Sequence, residues 1–177
     1  KTVSVNNQYN GLKVMVEQID ESFLRNNFKM PTDIYKGDQV GRKKYHGVLL
    51  ESIFEFPSLW EKIAINNHYN ELNINPLISL FDEIENNIFR LVDKDSFAQF
   101  LLFVDLACTY HYDEYHNWIL HYDTYLEKFS PIIWDPSSWQ QPWIDNKECN
   151  INSSVMFNYL YTDYEIIRKK YQFANDF

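Results

Sequence analysis

The sequence predicts an α+β fold whose strands and helices lie in separate stretches, and three observations predict it. The first residues, "KTVSVNNQYNGLKVMVEQI", alternate apolar and polar side chains around an Asn-Gly pair, as a hairpin does. From Pro57 onward, apolar residues recur at helical spacing. Glycine is scarce, at 4 residues, which argues against a sandwich or barrel built on many tight turns. With 45% hydrophobic residues, including 13 Tyr, 13 Phe and 5 Trp in a chain of 177, a sizeable core is expected. The chain reads as one domain over 1–177, strand-rich through 1–50 and mainly helical over 51–177, with no βαβ alternation.

The elements are expected in the following order. The Asn10-Gly11 pair turns a first strand into a second, "LKVMVEQI", with Leu12, Val14 and Val16 on one face. Asp20 caps a short helix, "ESFLRNNF", which Pro31 follows. "TDIYKGDQVGRKKYHG" is polar, glycine-punctuated and basic, and reads as an exposed loop with a short strand at Ile34 to Lys36. "PSLWEKIAI" reads as a helical turn and a half. In "NPLISLFDEIENNIFRLV", Asn75 caps, Pro76 opens the helix, and Leu77, Phe81, Ile84, Ile88 and Leu91 form one stripe. "SFAQFLLFVDLACTY" is apolar on nearly every side and reads as the central buried helix. "NWILHY" and "FSPIIW" are strands joined by "DTYLEK". The last helix runs through "SVMFNYLYTDYEIIRKKYQF", with Met156, Leu160, Tyr164, Ile167 and Tyr171 on one face.

Charge and cysteine content exclude several classes. A net charge of -9 disfavours nonspecific nucleic-acid or anionic-membrane partners. No run reaches the roughly 18 apolar residues of a membrane span. Cys108 and Cys149 make neither a disulfide framework nor a zinc set, and Cys108 reads as a buried thiol. A sequon at Asn152-Ser153-Ser154 matters only in a eukaryotic secretory setting.

The densest polar stretch is "HYDEYHNW", residues 111 to 118. His111 and His116 stand about 140° apart on a helical wheel at ~100° per residue, unlike the four-residue spacing of a helical zinc site. No Gly-x-Ser-x-Gly elbow exists. A third chemistry uses more of the sequence. Asp113 and Asn117 precede a hairpin whose second strand delivers Asp135. An Asp that orients an attacking hydroxyl, followed by an Asn and a further Asp that hold a metal, is a phosphoryl-transfer pattern. Asp and Asn also populate loops for turn reasons alone. Tryptophans 118, 134, 139 and 143 stand as core or as a sugar- or partner-binding surface.

Four segments in register resemble the CotH family, the spore-coat-H-like atypical protein kinases. "YNGLKVMVEQIDESFLRNNF" is similar to the family signature through Gly11, Glu17, Asp20, Phe23 and Leu24. "IYKGD" resembles its Leu-Tyr-Lys-Gly segment, "DEYHNWILHYD" its Asp-loop-His-Asn strand, and "IIWDPSSW" its Pro-Trp-Asp-x-Asp stretch. The resemblance implies a protein-kinase-like fold, here with part of the nucleotide lobe missing at the N-terminus. It implies ATP with Mg²⁺ or Mn²⁺, and transfer of the γ-phosphate to Ser or Thr of a secreted, surface or coat protein.

Carried over, Asp113 resembles the catalytic-loop Asp, and Asn117 and Asp135 the metal ligands. His116 orients the loop, and Glu17, Lys36 and Trp134 fall at nucleotide-binding positions. Lys36 stays open between a phosphate contact and a solvated loop cation. The chain departs from the pattern in two places: its loop is one residue shorter between Asp113 and His116, and Ser137 replaces the second acid after Trp134. These departures leave a noncatalytic binding or coat-assembly module as the alternative.

Overall fold

The structure is a computed structural model that describes residues 2–5, 8–12, 17–39, 51–63, 73–84, 88–109, 111–136 and 154–176. Strands β1 (Thr2–Val5) and β2 (Gln8–Leu12) pair antiparallel. Val5 pairs with Gln8, so the chain reverses before the Asn10-Gly11 pair, which lies inside β2. The Asn-Gly turn expected from the sequence is therefore corrected. The expected strand over 13–16 falls outside the described residues.

Helix α1 (Glu21–Asn26) forms where the sequence places it, because Asp20 accepts hydrogen bonds from the Ser22 and Phe23 amides. That satisfies two of the first-turn donors a helix leaves unpaired.

A second, four-stranded antiparallel sheet organises the molecule in the order β4-β3-β5-β6. Its strands are β3 (Asp33–Gly37), β4 (Trp60–Ile63), β5 (Trp118–Asp123) and β6 (Lys128–Ile132). The short strand expected at Ile34 to Lys36 is present as β3, though as a buried inner strand with Ile34 and Tyr35 in the core rather than in an exposed loop. One expectation fails outright. The segment read as a helical turn becomes a 3₁₀ turn, Pro57–Leu59, followed by β4. Trp60 pairs with Gly37, and its indole donates to the Ile53 carbonyl at 2.6 Å. These long-range bonds override a weak local helical pattern.

Gly37 is required by this approach: a Cβ there would lie 2.8 Å from Ile53 Cδ1 and from the Trp60 ring.

Alternation along the strands buries both faces of the sheet. Tyr35, Trp118, Leu120 and Phe129 point into the main core. Ile34, Ile119 and Ile132 point the other way, where Leu24 of α1 covers them. The main core also takes Leu77 and Leu80 of α2 (Asn75–Asp82) and Phe97, Leu101 and Val104 of α3 (Lys94–Ala107).

Asn75 does not cap α2. Ile74 holds the cap position, and Asn73 Oδ1 accepts from the Asn75 amide. The expected long helix ends at Asp82, and a separate 3₁₀ turn follows at Ile88–Arg90. Helix α3 is central and buried, as its composition predicts, with Asp93 as its cap.

The last helix is two helices, α4 (Val155–Leu160) and α5 (Tyr164–Asn175). Asp163 accepts from the Ile166 amide and restarts the helix, which shifts the apolar face. Ile166 and Lys170 are buried, whereas Tyr164 and Tyr171 are exposed. Asp105 of α3 receives both Lys170 Nζ and, at 2.7 Å, the Tyr161 hydroxyl. That pair ties α5 to the central helix.

Cys108, at the left-handed C-cap of α3, is disulfide-bonded rather than a buried thiol. The chain's other cysteine is Cys149, which lies outside the described residues. Among the described residues, no helix is long and apolar enough to cross a membrane.

Candidate active site

Residues 111–117 of the octet connect the end of α3 to β5 and contain neither helix nor strand, and Trp118 opens β5. Asp113 shapes it. Its Oδ1 accepts from the Tyr115 amide at 2.7 Å and the His116 amide at 3.0 Å, an Asx-type turn that reverses the backbone. The same oxygen takes the His116 ring, Nδ1 to Oδ1 at 2.6 Å. Because a carboxylate only accepts, Nδ1 carries the proton. The Asp113 carbonyl accepts from the Trp118 indole at 2.9 Å. Trp118 is 1% exposed, so this bond pins the octet to the main core.

His111 joins the two ends of the site. Its Nδ1 donates to the Asp135 carbonyl at 2.7 Å. Asn117 Nδ2 lies 2.9 Å from that nitrogen and donates to the His111 carbonyl at 3.1 Å. Asn117 and Asp135 therefore meet on one residue: Asn117 bonds the His111 carbonyl, and the His111 ring bonds the Asp135 carbonyl. The His111 ring also stands edge-on to His116, with centroids 4.8 Å apart. Asn117, at φ 67°, and Asp135, at φ 43°, both have left-handed backbones, which L-residues other than Asn and Asp rarely adopt.

Electrostatics concentrate on His116. The hydrogen bond from its ring to Asp113 raises its pKa above the ordinary value. Burial opposes the shift, and the charges of Asp113, Asp38 and Asp135 reinforce it. On the far side of the loop, Glu114 and Tyr115 line a cleft of about 580 Å³ with Glu51, Phe54, Phe56 and Val155.

The structure brings Asp113, His116, Asn117 and Asp135 into one cluster. Trp134 immediately precedes Asp135, its amide bonded to the Tyr112 hydroxyl at 3.2 Å and its ring packed on the smaller core. Lys36 is a strand residue rather than a loop cation, and it pairs with Asp38 at 3.1 Å, the carboxylate felt at His116. Glu17 is exposed, and its described hydrogen bond is to Asn26 near α1. His111 is the cluster member to which the sequence assigns no role. Trp118 is core rather than surface. Trp139, Trp143, Ser137, Asn152 and Ser153 of the sequon, and the "GRKKYHG" run fall outside the described residues, whereas Ser154 is buried and caps α4.

Asn117 and Asp135 are the residues that could hold a cation. With Nδ2 of Asn117 turned to His111, its Oδ1 remains, and the Asp135 side chain is 52% exposed. Two oxygen donors suit a hard cation that keeps waters and shares phosphate oxygens. Among the described residues, no three His, Cys, Asp or Glu side chains form a metal-holding group.

A family model described as CotH kinase protein matches residues 1–172. The chain thus belongs to the CotH family. A search of curated proteins finds no match.

Proposed function

We propose that this protein is an atypical protein kinase with a kinase-like fold, transferring the γ-phosphate of ATP to Ser or Thr of a secreted, surface or coat protein. The observation that carries this reading is the meeting of Asn117 and Asp135 on His111, beside the Asp113–His116 pair. Membership of the CotH family supports it.

Asn117 Oδ1 and the Asp135 carboxylate would hold Mg²⁺ or Mn²⁺. Bound there, the ion would supply charge neutralisation at the ATP phosphates, worth several kcal/mol in order of magnitude. The described side-chain hydrogen bonds of Asp113 all fall on Oδ1. Oδ2 is therefore the atom that would orient the substrate hydroxyl and accept its proton. The His116 ring, bonded to Oδ1, leaves Oδ2 outside the turn's hydrogen bonds. Trp134 and Lys36 are the candidate nucleotide contacts, and Glu17 is a third on family resemblance alone. The disulfide at Cys108 supports an oxidising compartment such as the cell surface or spore coat.

A noncatalytic binding or coat-assembly module of the same family is the second reading. One observation favours it: Asp113 already serves the loop as a turn acceptor, a task that needs no chemistry.

The test is Mn²⁺-dependent ATP binding by thermal shift, together with autophosphorylation, for the wild type beside Asp135→Ala. Transfer that disappears in the variant supports the kinase. Nucleotide binding without transfer supports the module. No response to nucleotide in the folded protein rejects both nucleotide roles.

A further inference from the structure

Between Asp113 and His116, Glu114 holds the loop from outside, a residue to which nothing above assigns a part. Glu114 makes three hydrogen bonds to two segments remote in sequence. Its carbonyl accepts from the Ile53 amide at 2.9 Å. Its Oε2 accepts from Ser52 Oγ at 2.5 Å. Its Oε1 accepts from the Val155 amide, the first helical residue of α4 and a donor the helix itself cannot satisfy. Next to it, the Tyr115 carbonyl accepts from the Gln39 amide at 3.0 Å.

By contrast, the described hydrogen bonds of Asp113 run to residues 115, 116 and 118, so Asp113 shapes the loop but does not fasten it to segments 52–53 and 155. Glu114 does both, and it does so from the peptide adjoining the proposed base.

We infer that Glu114 is a positioning residue: its carboxylate clamps the loop between residues 52–53 and the start of α4, and so sets the place of Asp113. The inference rests on the kinase reading for its catalytic consequence, but not for its structural one. The chemistry of the clamp makes the replacements informative. Glutamine retains an acceptor for the Val155 amide, and its amide can donate to the Ser52 hydroxyl in the reverse sense. Alanine keeps neither bond and leaves the two half-buried donors without their acceptor.

The experiment compares Glu114→Ala, Glu114→Gln and Ser52→Ala in the whole chain by two readouts. The first is steady-state phosphate transfer, separated into kcat and KM for ATP. The second, independent of activity, is hydrogen exchange of the Trp118 indole N–H, which reports where the Asp113 carbonyl sits, read against amides in the middle of α3.

Glu114→Ala should lower kcat by about tenfold or more while leaving KM within about twofold, the size expected when an outer partner of a site is removed. It should speed Trp118 indole exchange by about tenfold without changing α3. Glu114→Gln should restore both, and Ser52→Ala should move both the same way by less. Unchanged indole exchange in Glu114→Ala and Ser52→Ala overturns the inference, as does a glutamine variant that behaves like alanine. Should Glu114→Ala not fold, Ser52→Ala decides by the same criteria. A wild type that transfers no phosphate defeats the kinase reading alone, since the exchange measurement still decides the clamp.

Discussion

Asp113 and His116 are joined side chain to side chain at 2.6 Å, and this contact, more than any other, sets the His116 charge. The folded pKa is raised, so its contribution to stability is complete below the unfolded value, ~6.5. It is lost as pH rises through the folded value. His121 has the opposite sign. Burial lowers its pKa, and the Met30 carbonyl bonded to its ring only partly opposes the shift. Its contribution is present above the unfolded value and lost as pH falls through the folded one. Denaturation of His116→Gln and His121→Gln across this range should therefore give difference curves of opposite slope. Parallel slopes would count against both assignments.

His111→Ala should separate Asn117 from Asp135. If those two hold the cation, Mn²⁺-dependent ATP affinity should fall by about 10- to 100-fold, as when an orienting partner is lost. Calorimetric titration measures it. Unchanged affinity would mean that the imidazole contact is incidental.

Asp105→Ala removes the shared acceptor of Lys170 and Tyr161. Lys170 is 7% exposed, so an ammonium is left almost buried without its carboxylate. The expected loss is about 2–3 kcal/mol, with part of the buried-pair penalty discounted because Asp105 itself meets solvent. Urea denaturation gives the value. Lys170→Met together with Asp105→Leu should recover much of it.

Gly37→Ala places a methyl group 2.8 Å from the Ile53 and Trp60 side chains. Overpacking of this kind costs about 1–3 kcal/mol. The same denaturation experiment measures it, and a neutral result would show that the Trp60 ring yields.

Much of this fold was legible from local chemistry. Asp20 and the apolar run of α3 announce their helices, and the two runs after Asn117 announce β5 and β6. What misled was local likeness without long-range context. Trp60 looks helical beside Pro57 until it pairs with Gly37, 23 residues earlier in the chain. The stripe through Tyr164 is continuous on paper, yet Asp163 breaks it by capping. The disulfide at Cys108 depends on spatial proximity that no spacing encodes.

At the candidate site, the sequence singles out Asp113, Asn117 and Asp135 because their residue types suggest oxygen chemistry, and the fold brings them together. The spacing of His111 from His116 suits no helical metal site, so the sequence assigns His111 no role. The octet is not a helix, so that test did not apply. A histidine directly preceding a loop of Asp and Asn was the available signal.

The left-handed backbones of Asn117 and Asp135 are conformations that glycine adopts without strain and that Asn or Asp adopts at modest cost. At Asp135, where the side chain is half exposed, the trade is nearly clean: Asp135→Gly should stabilise the protein by about 0.5–1 kcal/mol while abolishing nucleotide-dependent cation binding. A rise in melting temperature joined to loss of function would mark Asp135 as retained against the interest of the fold. Selection for stability alone would be expected to erase such a residue, so that result would make its presence the record of a demand that folding does not make.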